Sequence, residues 1–112
     1  MVEDADGRTR LLEHKTSSRR YSEAKLAHDL QPTAYSLALQ RMGIDAGVTY
    51  QVLLKTKTPT LELYEIERGP QDYRDLIETI IGVHRAVEAE AFHPIRDWWC
   101  QGCPYAGPCL AG

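Results

Sequence analysis

The sequence predicts a small mixed α/β layer fold, and three observations carry that prediction. Residues 48–55 alternate as a half-buried strand does, with Val48, Tyr50, Val52 and Leu54 set against Thr49, Gln51, Leu53 and Lys55. A long stripe of apolar residues at helical spacing follows Pro70. The elements run strand, helix, strand, strand, helix and then a cysteine tail, an order that places helices against a sheet.

The segment "VEDADGRT" reads as a turn, because Asp and Gly favour tight reversals. "RTRLLEHKT" then reads as a strand. Leu11, Glu13 and Lys15 share one face of it, and Leu12, His14 and Thr16 share the other. Adjacent leucines predict cover on both sides. This strand has no obvious partner before it, so it pairs with residues 48–55 alone or with sheet from outside the chain. "SEAKLAHD" is a short helix or an ordered loop.

Asp29 suits the N-cap of the next helix, Pro32 fits its first turn, and Gly43 stops it after Met42. Its expected inner stripe is Gln31, Tyr35, Ala38 and Met42. "KTPT" turns the chain into "LELYEIE", expected as an edge strand. The stripe of the last long helix contains Tyr73, Leu76, Ile77, Ile80, Val83, His84 and Val87, which predicts a core position for His84. After Phe92 the chain turns irregular and aromatic, ending "DWWCQGCPYAGPC".

At 112 residues, with 43% hydrophobic and 26% charged, the composition is that of one ordinary soluble domain. No apolar run approaches the roughly 20 residues that span a membrane, and "MVEDADGRTR" lacks the apolar centre of a secretory signal. A cytoplasmic protein is expected. The net charge of −3 does not by itself favour nucleic acid. The distribution is more informative: Arg8, Arg10, Lys15, Arg19, Arg20 and Lys25 crowd one segment, whereas acids outnumber bases from Leu61 to Glu90. A domain of this kind can bind an anion on one side, and a solvated basic turn accounts for the same charges.

Three patterns bear on chemistry. Glu13 and Lys15 form E-x-K on one strand face, where a carboxylate can hold a hard divalent cation and an ammonium can orient water or stabilise phosphoryl charge. The pattern is also common by chance, and an exposed pair of this kind contributes little. Gln31 and Tyr35, one helical turn apart, can present an amide and a phenol beside that strand; a plain helix rim is the alternative. Cys100, Cys103 and Cys109 form C-x2-C-x5-C with Gly and Pro between, as in a loop wrapping a metal. Zinc or an iron–sulfur cluster would each need a fourth ligand. His93 is a conceivable fourth for zinc, and there is no fourth cysteine.

Taken together, "LLEHKTSS", "DLQPTAYSLAL" and "FHPIRDWWCQGCPY" with its last cysteine resemble the C-terminal part of a RecB-type nuclease domain of the PD-(D/E)xK superfamily. The resemblance runs over nearly the whole chain. It implies a restriction-endonuclease-like mixed sheet flanked by helices, with a partial nuclease core at residues 1–97 and a cysteine-rich tail at 98–112. It implies a Mg- or Mn-dependent deoxyribonuclease, an exonuclease in DNA repair. Glu13 would be the second acidic metal ligand, Lys15 the motif lysine, and Gln31 and Tyr35 the Q-x3-Y pair. His14 would offer at most its backbone carbonyl. Cys100, Cys103 and Cys109 would be three ligands of a 4Fe–4S cluster, with zinc as the alternative. Arg19, Arg20 and Lys25 would contact the DNA backbone. A helicase, or a recombination or CRISPR-associated protein, would be the partner.

The first acid of the family motif would fall just before Met1. Asp4 and Asp6 lie nearer the turn tip and are not assigned its role. The N-terminal part of the domain is thus expected to be missing, and self-association could complete the sheet. Two readings of other classes stay open: a non-catalytic DNA- or protein-binding module with a structural cysteine metal site, and a small zinc protein unrelated to nucleases.

Overall fold

The structure, a computed structural model, describes residues 1–3 and 6–111. It divides into two compact units, Met1–Glu78 and Thr79–Gly112. The first holds a four-stranded mixed sheet in the order β1-β2-β3-β4, formed by Val2–Glu3, Thr9–Ser17, Ala46–Leu54 and Thr60–Ile66. β2 and β3 run parallel, with Glu13 opposite Tyr50 and Lys15 opposite Val52; β4 lies antiparallel to β3 at an edge. A parallel pair requires a crossover, and helices α1 (Glu23–His28) and α2 (Leu30–Arg41) supply it.

The crossover is held by local signals. Ser22 caps α1 by accepting from Lys25 N at 3.1 Å, and Asp29 caps α2 by accepting from Gln31 N at 3.1 Å. Gly43, at φ 74°, ends α2, and Ile44 N closes back onto Leu39 O at 2.9 Å. The alternating residues of β3 make the core: Val48, Tyr50, Val52 and Leu54 are buried with Ile66, and Leu11, Tyr21, Leu26, Tyr35 and Tyr64 pack around them.

Three expectations are corrected. β2 does have an N-terminal partner, because Val2 and Glu3 pair antiparallel with Arg10 and Thr9. Of the segment read as a turn, Gly7 at φ 79° supplies the reversal; Asp4 lies outside the described residues. The inner face of α2 is also rotated from the expected stripe. Pro32, Thr33 and Leu39 are buried, whereas Ala38 and Met42 are exposed. The cause is that Pro32 and Leu39 face the core, which leaves Gln31 and Tyr35 on the flank nearer β2.

The third correction is His84. Helix α3, Pro70–Glu88, begins as expected, with Asp72 reaching back to Gly69 N at 2.8 Å. Of its apolar stripe only Leu76 is buried. His84 is exposed and pairs with Glu88 one turn on, at 3.2 Å. In the second unit a 3-10 turn at Trp98–Cys100 and a short helix α4, Ala106–Leu110, complete the chain. Among the described residues, no helix is long and apolar enough to cross a membrane.

Candidate active site

β2 presents Glu13 and Lys15 on its core-side face, and α2 brings Gln31 and Tyr35 to the same place. The four side chains close a ring. Lys15 Nζ donates to Gln31 Oε1 at 2.6 Å, Gln31 Nε2 donates to Tyr35 OH at 3.0 Å, and Tyr35 OH donates to Glu13 Oε2 at 3.3 Å. Glu13 Oε1 lies 3.9 Å from Lys15 Nζ. Each group has one role consistent with its chemistry: the ammonium gives, the amide relays, and the carboxylate receives. The Lys15 and Glu13 side chains are 23% and 27% exposed, so the ring is open to a ligand from solvent.

Two residues outside the sequence expectation complete the site. Tyr50, opposite Glu13 on β3, is fully buried, and its ring centroid lies 5.1 Å from Lys15 Nζ. Its hydroxyl donates to Asp29 Oδ2 at 2.8 Å. Burial raises its pKa first, and the hydrogen bond to Asp29 adds to this, so the phenol stays neutral well above the ordinary range. A sequence signal for it exists: Tyr50 is the one member of its aliphatic strand face with a polar end. Arg68 is the other. It donates to Leu26 O at 2.6 Å, Asp29 O at 3.1 Å and Thr33 Oγ1 at 2.8 Å, so one guanidinium ties the α1–α2 junction together.

The remaining assigned residues are placed less centrally. His14 points to the opposite face of the sheet and is exposed. Arg19 is exposed in the turn after β2, Arg20 pairs with Glu62 at 3.2 Å, and Lys25 stands over the Tyr21 ring at 4.7 Å. Tyr21 in turn stacks on Tyr64 and meets Tyr50 edge-on.

For a divalent cation, Glu13 is the residue in place. Magnesium is held by one or two carboxylates and keeps several waters. A partly exposed carboxylate with one oxygen engaged by Tyr35 fits that mode, with Oε1 left for the ion. Cys100, Cys103 and Cys109 are free thiols, and among the described residues no group of three or more His, Cys, Asp or Glu is arranged to hold a metal. A 4Fe–4S or zinc site formed by these thiols, or by them with His93, finds no support among the described residues. Cys100 sits in the 3-10 turn and Cys109 in α4, so separate backbone elements hold them.

With this geometry in view, the comparison with family models is decisive. The model of the PD-(D/E)XK nuclease superfamily matches residues 1–110. The chain belongs to the PD-(D/E)XK nuclease superfamily. Membership accounts for the mixed sheet with its flanking helices. No individual curated protein and no solved structure matches the chain.

Proposed function

We propose that this PD-(D/E)XK chain serves, within its intact parent protein, divalent-metal-dependent hydrolysis of DNA phosphodiesters, as an exonuclease of the RecB type. The observation that supports this is the closed ring of Glu13, Lys15, Gln31 and Tyr35, since the same four residues are those of the E-x-K and Q-x3-Y patterns. Glu13 Oε1 would hold Mg or Mn, and the ion would lower the pKa of a bound water and offset phosphoryl charge. Lys15 Nζ lies 3.9 Å from Glu13 Oε1, near enough to orient a water or stabilise a phosphate oxygen there. Gln31 holds the ammonium at one end of its amide, and through Tyr35 it orients the carboxylate at the other. Arg19, Arg20 and Lys25 would supply phosphate contacts without sequence preference. Residues 98–112 would form a separate cysteine-rich tail. The compartment is the cytoplasm, and the partner a helicase or a recombination or CRISPR-associated protein.

The test is cleavage of linear and circular DNA with Mg or Mn. Loss of about a hundredfold or more in rate is expected for Lys15→Ala and Glu13→Gln. Activity that survives Lys15→Ala unchanged would remove Lys15 from the mechanism. Degradation of linear DNA alone supports an exonuclease; cutting of circles supports an endonuclease. DNA binding without cleavage under any divalent metal would instead favour a non-catalytic module. Metal content of the purified protein tests the tail separately: stoichiometric iron or zinc would assign it an ion that the placed thiols do not themselves gather.

A further inference from the structure

Tyr50 occupies a core position, yet both ends of its side chain act on the site. Its ring lies beside the Lys15 ammonium, with 5.1 Å between Nζ and the centroid. A cation near an aromatic face is attracted by the ring quadrupole, and more so away from water. Tyr50 is 0% exposed, so the ring is a fixed platform. Its hydroxyl has one proton to give, and the shorter contact takes it: Asp29 Oδ2 at 2.8 Å, against 3.4 Å to Gln31 Oε1. The other oxygen of Asp29 accepts from Gln31 N at 3.1 Å. The phenol therefore fastens the first turn of α2 to β3 at the residue that stands opposite Glu13. Gln31 leaves that turn to accept from Lys15 at 2.6 Å. Two determinants of the Lys15 position, its platform and its acceptor, lead back to one tyrosine.

We propose that Tyr50 is a positioning residue of the site, placing Lys15 with its ring and Gln31, through Asp29, with its hydroxyl. The proposal rests on the reading of Glu13, Lys15, Gln31 and Tyr35 as the catalytic set. Two variants of the full chain separate its parts: Tyr50→Phe keeps the ring and drops the hydroxyl, and Tyr50→Leu drops both.

By nuclear magnetic resonance, the Lys15 ε-methylene protons are expected to be displaced by the ring current in the unsubstituted chain and in Tyr50→Phe, and to lose that displacement in Tyr50→Leu. The Gln31 side-chain amide is expected to shift and to exchange with water severalfold faster in Tyr50→Phe. In cleavage, Tyr50→Phe is expected to lower kcat about tenfold with KM for DNA unchanged. A residue that only stabilises the fold would lower the melting temperature and move none of these. Unaltered Gln31 signals in Tyr50→Phe, or an unchanged kcat, would overturn the proposal. Should a variant fail to fold, the unsubstituted chain decides: a protected Tyr50 hydroxyl proton and a displaced Lys15 ε-methylene support the role, and their absence overturns it. If the unsubstituted chain cleaves no DNA, the proposed function fails, and the spectroscopic readouts still decide the role of Tyr50.

Discussion

Glu13 has two carboxylate oxygens in different settings. Oε2 accepts from Tyr35, and Oε1 faces the Lys15 ammonium at a longer distance. A phenol that occupies one oxygen leaves the other for a ligand, which in the proposed function is the metal ion. Tyr35→Phe removes that donor and also the acceptor of Gln31 Nε2. We expect cleavage to fall about tenfold and Mn affinity, read by titration, to weaken in parallel. Tyr50 gives a pH dependence of definite sign. Its folded pKa is raised by burial and by Asp29, so the folded state keeps the proton that the unfolded state releases near pH ~10. Its contribution to stability is full below about pH 10 and is lost as pH rises beyond it. Denaturant midpoints at about pH 8 and 11 should differ more in the unsubstituted chain than in Tyr50→Phe.

At the scale of elements, β2 and β3 are joined by more than their backbone ladder. Arg10, 3% exposed, donates to Thr49 Oγ1 at 2.9 Å, Val48 O at 2.8 Å and Glu67 at 3.1 Å. Its guanidinium lies over Gly47, where a Cβ would collide with it. Gly47→Ala must expel a buried, triply bonded cation, and we expect a loss of about 2–3 kcal/mol, read by urea unfolding. Helix α3 ends differently from α2. Glu90 takes φ 55°, the left-handed conformation that Gly43 takes after α2 at no steric cost. Glu90→Gly should therefore stabilise the end of α3 by about 0.5–1 kcal/mol, seen as slower amide exchange at Ala89 and Ala91. Caps and stops were legible in the sequence because Asp29, Gly43 and Pro70 act on their immediate neighbours. The buried faces of helices were less legible. Ala38 and Met42 fit a helical period, yet Pro32, Thr33 and Leu39 took the core side. His84 fit the stripe of α3 and is exposed with Glu88.

Across the whole chain, the site depends on contacts between residues far apart in sequence. Arg68 follows β4 but bonds the junction of α1 and α2, where Asp29 begins the helix that carries Gln31. Arg68→Met leaves those part-buried carbonyls and Thr33 short of a donor. We expect about 2–4 kcal/mol of destabilisation by urea unfolding, together with weaker cleavage, although Arg68 lies outside the ring. The sequence by itself determined the order of the elements from β2 onward, the strand faces, and the starts of α2 and α3. These follow from side-chain period and from caps that act within a few residues. Only the tertiary structure decided that β2 pairs with Val2 and Glu3, that Gln31 and Tyr35 close a ring on Lys15 and Glu13, and that Tyr50 and Arg68 support it. Those outcomes depend on register, on the rotation of a helix about its axis and on side-chain reach. Periodicity leaves all three open until the layers have packed.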